Sequence, residues 1–259
     1  MMLAFSSFSD AHFHLVYSAP FQAFSVPYYA ATCAHDREEF LKQEALVSKY
    51  NSMQNTLILS AFGMHPQMPL TENADFMEML LREKRIRAIG ESGFDLFTKE
   101  FKEDIARQET AWNIELELAA SYNVPLVIHC RKAIDRMFRD SGKLAKIRAV
   151  VFHSFAGSPA DARSLLRREV NSYFSFGKPL IGGDKSAIAC VKELDADRLL
   201  METDAPYQTL KGEKSTSAGE IARVYEKAFE IRGEGSPNQS AEDFSAQTCA
   251  NFRTAYGIA

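Results

Sequence analysis

Eight short β-like runs, nearly all followed by a helical pattern, constrain this chain more than any other feature. The runs are 8–13, 26–33, 56–62, 86–91, 124–129, 149–153, 171–176 and 198–202. Several, such as TLILSAF and VPLVIH, are continuous apolar stretches of the kind buried on both faces of a parallel sheet. Helical segments are expected at 36–50, 101–122, 158–168, 187–194, 218–231 and 241–256. The first opens on Asp36 with Glu39 three residues later, the spacing of a capping box. Ser158-Pro159 suits an N-cap followed by proline in the first turn. Within 101–122, the residues Ile105, Trp112, Leu116 and Ala119 fall near helical spacing and read as a core-facing stripe.

Strands alternating with helices imply an α/β fold with a parallel sheet. Eight strands in 259 residues favour a (β/α)8 TIM barrel over its rival, the doubly wound open sheet. The loop-rich stretches 208–217 and 232–239 do not read as domain linkers, so 1–259 is expected to be a single domain. Apolar residues at 46% are enough to build such a core without cross-links. Cys33, Cys130, Cys190 and Cys249 are dispersed with no CxxC, which reads as reduced thiols in a cytoplasmic protein. The opening MMLAFSSFSD lacks the basic and apolar regions of a signal peptide, and no run approaches the ~18 apolar residues of a membrane span. No membrane partner is expected, and the chain is read as a monomer.

Five of the six histidines stand at or just past the C-terminal end of an expected strand, His35 being the exception. A barrel brings all strand C-termini to one face, so these imidazoles would converge on one mouth. Asp10, His12 and His14 alternate along the first strand and share a face, where two imidazoles can grip one cation. His65 follows the third strand in GMHP, where it either touches substrate or caps the turn. Glu91 ends the fourth strand in IGESGFD, where Gly90 and Gly93 allow close backbone approach; a carboxylate there can bridge two cations, though a loop glutamate is more often solvated. His129 and His153 end the fifth and sixth strands, and Asp204 lies just past the eighth. Asp204 could bind a cation and take a proton from water, with Glu202 beside it as a supporting partner. Arg131 and Lys132, read at a helix start, could hold a phosphate, although solvation is the commoner fate of such a pair.

A ligand set of nitrogen and oxygen without thiolate suits zinc, manganese or magnesium, and the histidine count leans away from magnesium alone. Two divalent metal ions would activate a water and stabilise both attacking and leaving oxygens. A net charge of -4 excludes a uniformly basic nucleic-acid surface, so a phosphate-bearing substrate would need metal or a local basic patch.

In order, the motifs DAHFH, GMHP, IGESGFD, PLVIHCRKA, VFHSFAGS and LLMETDAPY resemble those of the TatD-type metal-dependent deoxyribonucleases of the amidohydrolase superfamily. The resemblance runs from Asp10 to Tyr207. It implies a first metal held by His12, His14, Glu91 and Asp204, and a second held by Glu91, His129 and His153, with Glu91 bridging. It further implies that Asp204 orients or deprotonates the attacking water and that His65 contacts a substrate phosphate. The implied substrate is DNA, single-stranded or at ends, cut as by a 3′-exonuclease. Where relatives commonly carry an arginine after the last strand, QTLKGEKSTS offers Lys211 and Lys214. One alternative is a C–N or ester hydrolase of the same superfamily; many of those bridge their metals with a carboxylated lysine on the fourth strand, where this chain has Glu91. The other is a barrel that binds metal or nucleic acid without turnover.

Overall fold

In a computed structural model that describes residues 4–18, 20–233 and 239–258, the apolar runs form eight parallel strands. They are β1 (Phe8–Phe13), β2 (Tyr28–Ala34), β3 (Thr56–Phe62), β4 (Ala88–Asp95), β5 (Leu126–Arg131), β6 (Val150–Phe152), β7 (Ser172–Phe176) and β8 (Leu199–Met201). Each pairs with the next in chain order, giving a TIM barrel. The seam between β8 and β1 is joined just beyond β8. There His14 N–H donates to the Ala205 carbonyl at 2.7 Å, and Asp204 N–H to that of His12 at 3.0 Å. Beneath them the buried Asp10 carboxylate accepts from the Thr203 N–H at 2.8 Å and the Thr203 hydroxyl at 2.6 Å. Asp10 is therefore spent on the seam, while His12 and His14 continue to the mouth.

Ten α-helices among the described residues surround the sheet: α1 (Arg37–Asn51), α2 (Ala74–Arg82), α3 (Lys99–Glu103), α4 (Ile105–Tyr122), α5 (Ile134–Arg139), α6 (Ser141–Leu144), α7 (Pro159–Arg167), α8 (Lys185–Glu193), α9 (Ile221–Gly233) and α10 (Ala241–Tyr256). The Asp36 cap forms, accepting from Glu39 N–H at 2.8 Å, but the Glu39 carboxylate caps the N–H of His35 rather than closing a box. Ser158 and Asp161 do close one at α7. The single helix expected over 101–122 is broken at Asp104 into α3 and α4. The Phe101 carbonyl there is taken by the Gln108 side chain at 2.7 Å. Trp112, Leu116 and Ala119 of the expected stripe are buried. The helices α2 and α6 have no counterpart among the expected segments, and α5 begins at Ile134, later than the helix start read at Arg131 and Lys132.

Two apolar cores result. The larger lies between strands and helices; the smaller fills the barrel with modest side chains such as Ala31, Ala61, Ala88 and Val151. Phe252 and Tyr256 of α10 join that inner core, and the Tyr256 hydroxyl donates to the Ala11 carbonyl at 2.6 Å. The four cysteines are unpaired. No helix among the described residues is long and apolar enough to cross a membrane. The first three residues of the opening segment and residues 234–238 of the 232–239 loop lie outside the described residues.

Candidate metal centre

Strand parity carries the site upward from the inner core. Ala31 and Cys33, Val127, Val151 and Leu200 pack inside the barrel. Every second residue onward then reaches His35, His129, His153, and Glu202 with Asp204. On β1 the register with β2 shifts between Asp10 and Phe13, and the His12 and His14 Nε2 atoms end 3.2 Å apart. Glu91 is not at the end of its strand, as expected, but in the middle of β4, which runs on to Asp95. Its position depends on Gly90: at φ +152° this residue lies so close to Val127 that a Cβ would come within 2.6 Å of the valine side chain.

The two oxygens of Glu91 face two sets of imidazoles. Oε1 lies 3.3 Å from His12 Nε2, 3.3 Å from His14 Nε2 and 3.4 Å from His35 Nε2. Oε2 lies 2.7 Å from His153 Nε2, 3.3 Å from His129 Nδ1 and 3.6 Å from His65 Nε2. Asp204 Oδ1 joins the first set, 3.6 Å from His12 Nε2 and 3.5 Å from His14 Nε2. Ring nitrogens facing each other this closely repel unless a proton or a cation lies between them. Glu91 Oε1, buried among them, has no hydrogen-bond partner. Three overlapping triads have ligand atoms close enough to share an ion: His12, His14 and Glu91; His12, His153 and Asp204; and His65, Glu91 and His129. These donors fit divalent cations of the nitrogen- and oxygen-binding kind.

Partners behind the imidazoles fix which nitrogen faces inward. His129 Nε2 meets the buried Asp95 carboxylate at 3.1 Å, which leaves Nδ1 toward Glu91. His153 Nδ1 lies on the Glu202 side at 3.8 Å, beyond hydrogen-bond reach, and Glu202 is itself held by the Ser154 N–H at 2.8 Å. Burial lowers His12, and it lowers His14 and His65 to about 3, so these rings are neutral and able to ligate. Burial works to raise Glu91, but the imidazoles of His12, His153 and His65 outweigh it and hold the carboxylate well below its ordinary range. For His153 the order reverses: burial works against its charge, and Glu91 and Glu202 prevail and raise it. Asp204 is pushed up to about 6, chiefly by burial.

The family model described as TatD related DNase matches residues 9–257. The chain belongs to the TatD family. It is a metal-dependent hydrolase by that membership. It is 34% identical over 217 residues to a 3′-5′ ssDNA/RNA exonuclease TatD of Klebsiella pneumoniae, covering 77% of each chain. It is 29% identical to an uncharacterised metal-dependent hydrolase of Bacillus subtilis, covering 75% of this chain and 78% of that one. Among solved structures, a TatD homologue from Escherichia coli superposes with a TM-score of 0.81 at 23% identity, covering 97% of this chain and 98% of that one. A dihydroorotase from Saccharomyces cerevisiae shares the fold alone, with a TM-score of 0.63 at 10% identity over 98% of this chain and 84% of that one.

Within this TatD-family barrel, five of the six residues read as metal ligands line a cavity of about 400 Å³ at the mouth, and the sixth, His12, lies buried against Glu91 and Asp204. His65 lines that cavity too, and it caps its turn: Nδ1 accepts the Gln67 N–H at 3.1 Å while Nε2 points at Glu91. Arg131 and Lys132 are placed differently from the expectation. Arg131 is the last residue of β5, Lys132 follows at φ +58°, and α5 starts only at Ile134, so neither opens a helix. They line a neighbouring cavity of about 480 Å³ that shares His153 with the first. Sequence reasoning missed two contributors. His35 directly follows β2, and the parity of Ala31 and Cys33 was the signal that places it inside. Asp95 was visible as part of IGESGFD, but its contact with His129 spans two strands and has no local signature.

Proposed function

We propose that this chain is a two-metal phosphodiester hydrolase that removes nucleotides from the ends of single-stranded DNA, by analogy with the relatives named exonucleases. The observation that carries the reading is the division of imidazoles between the two oxygens of Glu91, which suits a carboxylate bridging two cations. His12, His14 and Asp204 would complete one position, and His129 and His153 the other. Zinc, manganese or magnesium bound there would lower the pKa of an attacking water and stabilise charge on the phosphate oxygens.

The remaining work belongs to the protein. Asp204 lines the cavity from the seam and takes the proton of the water. Neutral His65, its Nδ1 engaged by Gln67, offers Nε2 to a phosphate oxygen. Arg131 and Lys132 supply positive charge in the adjoining cavity for the next phosphate along the strand. The C–N hydrolase alternative finds no lysine on β4, which runs Ala-Ile-Gly-Glu-Ser-Gly-Phe-Asp. Incubating the protein with 5′-labelled single-stranded DNA and Mg2+, Mn2+ or Zn2+ should give stepwise shortening from the 3′ end. No cleavage from protein shown by elemental analysis to hold metal would sink the reading.

A further inference from the structure

Among the described residues, the large apolar side chains left exposed are Tyr17, Leu41, Met68, Phe97 and Tyr207. All stand at the mouth end of the barrel. Tyr207, Tyr17, Met68 and Phe97 follow β8, β1, β3 and β4, and Leu41 lies near the start of α1, directly after β2. They form an arc over consecutive strands, which a scatter of chance surface residues would not do.

A repeated local device builds the arc. Tyr17 N–H donates to the His14 carbonyl at 3.1 Å, Met68 N–H to that of His65 at 2.9 Å, and Tyr207 N–H to that of Asp204 at 2.7 Å. In each case a residue lining the cavity is followed three positions later by an exposed apolar side chain, locked by the same turn. Phe97 is held similarly, its N–H donating to Asp95 Oδ1 at 2.9 Å. The Tyr207 ring stands edge-on to His14, with centroids 4.8 Å apart, and the Arg131 guanidinium lies 3.7 Å over the Phe97 ring. Lys132 stands beside Arg131 on the same cavity. Half-exposed tyrosine and phenylalanine rings, with the Arg131 and Lys132 cations beside Phe97, are the chemistry of a platform for unstacked nucleobases joined by phosphates. In a duplex the base faces are already stacked and unavailable.

We infer that the exposed arc of Tyr17, Met68, Phe97 and Tyr207 is a stacking collar that grips the bases of a single strand, Tyr207 taking the base next to the bond cut. This rests on the nucleic-acid reading above. It also explains how a chain of net charge -4 could hold a polyanion, by recognising base faces more than backbone charge. The test is fluorescence anisotropy with two labelled strands of equal length, one of ordinary deoxynucleotides and one of base-free tetrahydrofuran units, with cleavage followed in the same samples. The metal-loaded wild type should bind the ordinary strand at least about tenfold more tightly than the base-free one. Tyr207→Ala and Phe97→Ala should each lose about tenfold on the ordinary strand, change little on the base-free strand, and Tyr207→Phe should restore affinity. Equal wild-type affinity for both strands, or equal losses on both in the alanine variants, overturns the collar. An ordinary strand bound with this base dependence but left uncut supports the collar and sinks the nuclease assignment, so the two failures are separable.

Discussion

Asp204 and Glu115 show how single carboxyl groups take opposite roles from their surroundings. Asp204 reaches the cavity with Oδ1 turned to His12 and His14. Asn at this position keeps an oxygen for those neighbours but cannot accept a proton. Asp204→Asn should therefore retain fold and most bound metal, by circular dichroism and elemental analysis, while kcat on single-stranded DNA falls about a thousandfold. Unchanged turnover would remove its assigned role. Glu115 never meets the cavity. Buried on α4, it takes the Met64 N–H at 2.7 Å and the Ser92 hydroxyl at 2.5 Å, and so ties down the residues next to His65 and Glu91. Burial raises its carboxyl from 4.5 to about 8. Between those values the native acid keeps a proton that the unfolded acid has lost, so its contribution to stability is full at low pH and fades as pH rises. Asp10, also raised to about 8 by burial, acts in the same window. Glu115→Gln keeps both contacts and removes one proton uptake. Urea unfolding between about pH 5 and about pH 8 should then show a shallower loss of stability than wild type. An identical slope would mean that Glu115 is ionised in the native protein.

At the scale of elements, helices hold the mouth and close the base. α4 does the first with polar residues inside its apolar stripe: Gln108 accepts the Asp95 N–H at 3.0 Å and donates to the Asp95 carbonyl at 3.1 Å, one helical face with Glu115. α10 does the second, with Phe252 and Tyr256 in the inner core. Its start depends on a capping box in which Ser240 Oγ accepts the Asp243 N–H at 3.0 Å and donates to the Asp243 carboxylate at 2.7 Å. Ser240→Ala should cost about 1 kcal/mol, read as a lower urea midpoint. Because α10 packs at the end of the barrel away from the imidazoles, cleavage rate and metal content should stay at wild-type values. A drop in activity without a drop in stability would show that the floor and the mouth are coupled.

The whole molecule concentrates its uncompensated polarity at one place. Imidazoles and carboxylates from seven strands or their ends converge there, and buried atoms such as Glu91 Oε1 and His14 Nδ1 lack partners. A cation that binds this arrangement, and not the unfolded chain, stabilises the fold by mass action; about a thousandfold excess over Kd contributes about 4 kcal/mol. Stripping metal with a chelator should lower the melting temperature by roughly 10 °C and stop strand shortening, and restored divalent metal should recover both. A melting temperature indifferent to verified removal of metal would argue against a cation at the convergence.

The eight strands were legible in the sequence because burial on both sheet faces leaves continuous apolar runs, and a run announces itself within a few residues. The positions of His129, His153 and Asp204 were legible for the same reason, since each ends or follows such a run and a barrel collects strand ends, while His12 and His14 were legible from their alternation along β1. The bridging role of Glu91 came from family resemblance, and its seat in mid-strand came from the close approach of Gly90 to Val127, a contact between strands. Closure of the barrel decided the rest. It set His35 against Glu91, gave His129 its Asp95 partner, joined Asp10 to Thr203 across 193 positions, and laid Arg131 on Phe97 rather than at a helix start. These are pairings of short-range polar groups and ring faces, governed by a few ångströms in space. Residues distant in sequence acquire them only when the backbone has closed on itself, so local hydrophobic patterning, which determined the fold, could not encode them in readable form.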